Sequence, residues 1–247
     1  MQEKLRPFPT RIHILRLLCD LQVCTTYRAV RKYTETLALR KKGRGRVLDV
    51  GCGDQPYRFL FEEPYMKHVE YVPMDWDGAE DGFDYGGSGV IRYDGVHFPF
   101  EAGSFDLVFH TEVTEHVRDA GFFMKECRRV LRGGGELLFT IPFSARYHYI
   151  PYDYRRLTPA GIRMLLEEAG FTEIVIEPRG TDITVACYKI LCVGYRWLFG
   201  AALPGKLLFV LCAPLFAAAL LAGQISVWCK TGETDDCLGY VVYARNR

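Results

Sequence analysis

The sequence predicts an α/β fold, a mostly parallel sheet with helices on both faces, and three observations carry that prediction. Short apolar runs alternate with amphipathic stretches from position 46 onward. The first run ends in a glycine-bearing turn, Gly51-Cys52-Gly53. The next two runs each lead into an aspartate, Asp75 and Asp94.

The elements follow in order. Between about 10 and 40, Ile12, Leu15, Leu18 and Leu21 recur at helical spacing among Arg and Lys, which predicts one or two amphipathic helices. A basic run of Arg40, Lys41, Lys42, Arg44 and Arg46 follows; it reads as a solvated linker, with contact to phosphate or lipid head groups as the alternative. Residues 1–45 are therefore set apart from a domain spanning 46–247. Within it, strands are expected at 46–50, 69–74, 90–93, 106–110 and 135–141. A helix over 120–131 is closed by Arg132 and the triplet Gly133-Gly134-Gly135. Thr158, Pro159 and Gly170 punctuate another helix as N-cap, first turn and C′ position. Strands six and seven are expected at 171–177 and 238–244.

The stretch from 184 to 228 stands out. It is almost wholly apolar, broken by Lys189, Arg196 and Lys206, and 207–227 holds no charge. Its length would allow a bilayer crossing. A single crossing, however, would put the seventh strand on the opposite side from its own sheet. The segment is therefore read as a helical insertion, a membrane-associated hairpin in preference to a soluble cap.

Composition bounds the rest. The 247 residues suit one α/β domain with some elaboration, and 49% apolar residues can fill a large core. A net charge of +1 provides no field to gather nucleic acid, which is excluded as a partner. Nine scattered cysteines form no C-x-x-C pair, so they read as reduced thiols of a cytoplasmic protein, peripheral or monotopic at the membrane if the insertion meets lipid. No metal ligands are assigned. The N-terminal MQEKLRPFPTR lacks the apolar run of a signal peptide.

The glycine turn carries the chemistry. Without Cβ atoms, the backbone at Gly51 and Gly53 can approach a ligand closely. A dinucleotide fingerprint would need a third glycine where Pro56 stands, and no Tyr-x-x-x-Lys is recognisable, which opposes a nicotinamide-dependent oxidoreductase. Asp75 is placed to accept both ribose hydroxyls of a nucleoside, and Asp94 to lie near an adenine amino group. Singly each is an ordinary turn aspartate; at successive strand ends they point to a nucleoside site.

At these residues the chain resembles the methyltransferase type 11 branch of class I S-adenosylmethionine (SAM)-dependent methyltransferases. The resemblance rests on VLDVGCG (47–53), Asp75, the D-G-x-x-F-P-F run (94–100), GSFDLVFHTEVTEHV (103–117), RRVLRGGGELLFTIPF (128–143) and HYIPYDYRRLT (148–158). LRGGG stands in place of the commoner Leu-Arg-Pro-Gly-Gly, and Pro73 stands where Gly is frequent. The resemblance implies a Rossmann-like seven-stranded sheet with an antiparallel last strand. It implies SAM as cofactor, held by Asp49, Gly51, Cys52, Gly53, Asp75, Asp94, Gly95 and His110.

Methyl transfer from a sulfonium needs alignment, exclusion of water and, for a hydroxyl acceptor, a base. Glu112, Glu115 and His116 follow strand four; Glu115-His116 matches the family's E-H pair, with a structural role. The loop after strand five is dense in polar and aromatic groups. His148 is the leading base and Asp153 the second, while Tyr147, Tyr154 and Arg156 are placed on the acceptor. A small-molecule, glycan or lipid-linked hydroxyl is the expected acceptor. The remaining alternative is a non-catalytic, membrane-associated partner that keeps the fold.

Overall fold

The computed structural model describes residues 14–41, 44–62, 66, 68–79, 89–200 and 202–247. The expected helical position Ile12 and the basic residue Lys42 lie outside them, as do the side chains of Arg40 and Lys41. The N-terminal region forms two helices, α1 (Ile14–Cys19) and α2 (Leu21–Lys41). Asp20 separates them, its Oδ1 accepting hydrogen bonds from the amides of Gln22 and Val23 at the start of α2 (3.0 and 3.3 Å).

Seven strands follow, β1 (Arg44–Val50), β2 (His68–Trp76), β3 (Ile91–Tyr93), β4 (Phe105–Thr111), β5 (Leu131–Pro142), β6 (Phe171–Arg179) and β7 (Gly239–Asn246), in the spatial order β3-β2-β1-β4-β5-β7-β6. The pairings from β3 to β5 are parallel, and β7 runs antiparallel to both β5 and β6. The strand order reverses at β1–β4, where open α/β sheets bind ligands at their carboxyl ends.

Alternation along the strands builds two cores. Leu48, Val108, Leu137, Phe139 and Val242 face α3 (Ala120–Val130) and α4 (Pro159–Glu168). Their neighbours Val47, Leu107, Phe109, Leu138 and Val241 face Val30 of α2 and the short 3-10 turn at Arg58–Phe61. Thus α2 covers one face of the sheet.

The helix caps expected at Thr158 and Gly170 are present, Thr158 Oγ1 accepting from the Gly161 amide (3.3 Å). Asp119 caps α3 in the same way, accepting from the Phe122 amide (2.9 Å). One expectation is corrected. The glycine triplet does not close α3; that helix ends at Val130, and β5 already begins at Leu131. The triplet is absorbed as an irregularity, because the β4–β5 register moves from Phe105↔Leu131 to Leu107↔Glu136.

The apolar insertion is three helices, α5 (Asp182–Phe199), α6 (Leu203–Leu211) and α7 (Ala213–Cys229). Thr184 Oγ1 bonds Ser226 Oγ (2.6 Å), a Cβ on Gly223 would meet the Cys187 Cβ, and one on Gly194 would meet the Phe216 ring, so α5 and α7 run antiparallel. The inner face of the pair packs on Leu21 and Cys24 of α2. Helix α6 buries no residue, and Leu203, Leu207, Val210 and Leu211 stand exposed. No single helix among the described residues is long and apolar enough to cross a membrane; α6 and α7 meet that length only together, bent by 61°. The insertion is therefore a cap on its inner side and an apolar surface on its outer side.

Candidate active site

The site opens at the carboxyl ends of β1, β2, β4 and β5. On the β1–β2 side, Gly51 has φ +66°, and a Cβ there would come within 2.6 Å of Val113 Cγ2, so glycine is required. The amides of Gly51 and Cys52 donate to the Met74 carbonyl (2.8 and 3.1 Å), fastening the turn to the end of β2. Asp75 is buried beside this turn. Its Oδ2 accepts the Gly53 amide and its Oδ1 the Trp76 amide, both at 2.8 Å. Ribose hydroxyls are donors of the same polarity as those amides, so this carboxylate fits a nucleoside diol.

The other expected cofactor residues differ in setting. Asp49 is buried below the turn and accepts a hydrogen bond from the Tyr71 hydroxyl; burial pushes its carboxyl up to about 7 against that bond. Burial, with the Asp49 and Asp75 carboxylates, pushes the Cys52 thiol far above its ordinary value. Cys52 is therefore a neutral thiol. Asp94 is exposed, and its Oδ1 accepts the amides of His97 and Val96 (2.7 and 2.8 Å), which hold its carboxyl below the usual range. At Gly95, a Cβ would come within 2.8 Å of the Trp76 indole, so the loop after β3 lies on that ring. Tyr152 meets the same indole edge-on (5.5 Å between centroids). Sequence reasoning passed over Trp76 and Tyr152; the aromatic directly after Asp75 was the available signal.

His110 sits apart from this set. Its side chain is fully buried, stacked on Phe139 (4.7 Å) and edge-on to Phe123 (5.3 Å). Neither ring nitrogen has a hydrogen-bond partner among the described residues, and burial pushes the imidazole down to about 3. It is a neutral core residue beneath the site.

On the β4–β5 side, a one-turn 3-10 helix (Thr114–His116) meets the loop 146–156. Arg155 clamps the two, donating to the carbonyls of Thr114 (3.0 Å), Val117 and Arg118 (2.8 Å), and the Tyr154 amide donates to the Glu115 carbonyl (2.8 Å). Asp153 is bound on both sides, by Arg156 Nη2 (2.7 Å) and by the His148 amide (3.0 Å). Burial pushes Asp153 up, but the Arg156 guanidinium and the His148 amide outweigh it and hold its carboxyl low. Arg156 is thus committed to Asp153. Tyr147 and Tyr154 are exposed, with Tyr147 at 60%. Glu112 is also engaged: its Oε1 pairs with buried Arg179 (2.7 Å) and its Oε2 accepts from Gln22 of α2 (3.0 Å). Helix α2 is thereby tied to the site, a link between positions 90 apart that no local pattern reveals.

Comparison with known proteins agrees with this geometry. Residues 48–139 match the methyltransferase-domain family. A probable S-adenosylmethionine-dependent methyltransferase of Mycolicibacterium smegmatis is 30% identical over 146 residues, covering 56% of this chain and 55% of the relative. A fatty-acid O-methyltransferase of the same organism is 29% identical over 155 residues, covering 60% and 54%. The chain spans about half the length of the curated relatives it matches. Among solved structures, a SAM-dependent methyltransferase from Archaeoglobus fulgidus shares the fold, with a TM-score of 0.51 at 18% identity over 87% of this chain and 94% of that one.

Sheet order, glycine turn and strand-end acid together resemble those of a class I SAM-dependent methyltransferase domain. Within that class, residues 48–139 are similar to the type 11 methyltransferase domain, and the cofactor that this similarity implies is SAM.

Proposed function

We propose that the protein is an enzyme transferring a methyl group from SAM to a hydroxyl oxygen of a small-molecule, glycan or lipid-linked acceptor. The observation that carries this reading is the buried Asp75 carboxylate beside the Gly51–Gly53 turn, with a polar, aromatic loop across the sheet opening. Bound SAM supplies a methyl group already activated on a sulfonium. The chain's own residues then have to align the acceptor, exclude water and accept a proton. Asp75 would hold the ribose, Asp94 and Gly95 the adenine, and the backbone of Gly51, Cys52 and Gly53 the remainder of the cofactor, over buried Asp49.

Tyr147 and Tyr154 are the proposed acceptor contacts, with Arg156 shaping the loop through Asp153. His148 is the proposed base. Its Nδ1 faces the Arg146 carbonyl (2.9 Å) and Asp153 (3.2 Å), which leaves Nε2 to accept a proton. Asp153 is a positioning residue in this reading.

The exposed apolar side chains of α6 support a lipid-like or lipid-linked acceptor met at a cytoplasmic membrane surface. The relative named for fatty-acid O-methylation is consistent with it. The test supplies methyl-labelled SAM with soluble sugars and, separately, long-chain hydroxy lipids in vesicles. Label entering the organic phase is expected. Saturable binding of S-adenosylhomocysteine with no transfer to any oxygen acceptor would overturn the enzymatic reading and favour a non-catalytic partner.

A further inference from the structure

Glu115, His116 and His148 converge at the β4–β5 end of the site. His116 Nε2 lies 3.5 Å and His148 Nε2 4.0 Å from Glu115 Oε1, and one donor atom from each of the three falls within 4.8 Å of the others. The tautomers follow from their partners. His116 Nδ1 is 2.8 Å from the Tyr152 carbonyl, and His148 Nδ1 is 2.9 Å from the Arg146 carbonyl. A carbonyl only accepts, so both Nδ1 atoms carry hydrogen, and in the neutral rings both Nε2 lone pairs turn toward Glu115.

Glu115 is the second, independent observation. Its side chain is fully buried, and neither carboxylate oxygen makes a hydrogen bond among the described residues. An uncompensated buried carboxylate is costly, and two imidazole lone pairs aimed at it add no donor. Glu112, three residues earlier, spends its oxygens on Arg179 and Gln22 and gives no relief. A cation at the centre answers all three groups at once.

We propose that Glu115, His116 and His148 form a binding site for one divalent first-row transition-metal ion. Two imidazoles and one carboxylate suit manganese, iron, cobalt or zinc ions better than calcium. Donors about 2.1 Å from a common ion stand roughly 3.0–3.5 Å apart. His116 Nε2 and Glu115 Oε1 already stand 3.5 Å apart, and the wider pairs, up to 4.8 Å, close with side-chain shifts of about an ångström. The Nδ1–H bonds to carbonyls and to Asp153 are the outer contacts that fix ligand orientation in metal sites. The Arg155 clamp holds the two ligand-bearing segments together before any ion arrives.

The site lies on the proposed acceptor side, and its role rests on the methyltransferase reading although its existence does not. An acceptor hydroxyl bound to the ion would lose its proton to water: the O–H bond breaks and its electron pair stays on oxygen. With the ion in place His148 Nε2 is a ligand and no longer the base, so chelation separates the two routes to deprotonation.

The test is titration of the chelator-treated full chain with Mn²⁺, following free ion by its magnetic resonance signal. One ion per chain is expected, with affinity falling at least tenfold in His148→Ala and in His116→Ala. The same titration of His68→Ala, an exposed histidine at the start of β2, should match the unaltered chain. Visible absorption of Co²⁺ bound to the unaltered chain, displaced by Zn²⁺, supports the site without any variant. Absence of saturable Mn²⁺ and Co²⁺ binding, or binding indifferent to both cluster variants, overturns it. S-adenosylhomocysteine bound without metal uptake would sink this inference alone; metal uptake without S-adenosylhomocysteine binding would keep it and sink the cofactor reading.

Discussion

The two ends of the sheet opening are built on different principles. At β1–β3 the groups are local and largely backbone: a turn that tolerates only glycine, amides on the Met74 carbonyl, and the two buried acids Asp49 and Asp75. At β4–β5 they are side chains drawn from distant segments: Gln22, Glu112 and Arg179 are joined to each other, as are His148, Asp153 and Arg156. The contrast teaches that the first end is fixed by chain geometry and the second by tertiary assembly. Substitutions should therefore fail differently at the two ends.

The largest effect is expected at Gly51. Gly51→Ala forces an alanine to φ +66° and drives its Cβ against Val113. The strain and clash should cost about 4 kcal/mol and abolish measurable S-adenosylhomocysteine binding. Adding Val113→Ala should restore part of the stability, since it relieves the clash and leaves the backbone strain. Denaturant melts of both variants check this, and an unchanged single variant would break the comparison.

Glu112→Ala probes the other end. It leaves Arg179, whose side chain is 1% exposed, without its carboxylate, at about 3 kcal/mol. Calorimetry should nevertheless find S-adenosylhomocysteine affinity within about threefold of the unaltered chain once both are folded. A large loss of affinity would mean that the two ends are one cooperative unit.

His110, beneath both ends, predicts a pH dependence. Burial holds its imidazole at about 3, whereas the unfolded chain binds that proton near 6.5. The unfolded state takes the proton first as pH falls. Stability from this residue is thus full above about pH 6.5 and drops by roughly 1.4 kcal/mol per pH unit below it, levelling off near pH 3. Melts of His110→Leu between pH 7 and 5 should lack that component; an identical slope would contradict the assignment.

The smallest stability effect belongs to α6. Leu211→Ser, at a side chain 76% exposed, should change stability by no more than about 0.5 kcal/mol. Flotation with anionic liposomes should weaken. Unaltered flotation would remove lipid contact at this helix.

Much of this was legible in the sequence, for the same reason that the two ends differ. Strand periodicity, the Thr158 and Gly170 caps and the Gly51-Cys52-Gly53 turn are local signals, and local backbone chemistry decides them. The glycine triplet misled because three glycines suggest a stop, whereas β5 carries them as a register shift beside β4. His110 was assigned to the cofactor from its place at a strand end, but strand alternation turns it into the core against Phe123 and Phe139. The Glu115–His116–His148 cluster was not read as one site, because His148 lies more than thirty positions from the adjacent Glu115–His116 pair and meets it only across the loop that Arg155 clamps. Trp76 was passed over because an aromatic at a strand end usually belongs to the core.

The most direct test is calorimetric titration of the unaltered chain and Asp75→Ala with S-adenosylhomocysteine, using NADH as the control. The cofactor assignment predicts saturable S-adenosylhomocysteine binding to the unaltered chain, none of NADH, and at least a tenfold loss in Asp75→Ala, in line with a charged hydrogen-bond partner. Equal S-adenosylhomocysteine affinity in the two proteins, or binding of NADH in its place, would contradict it.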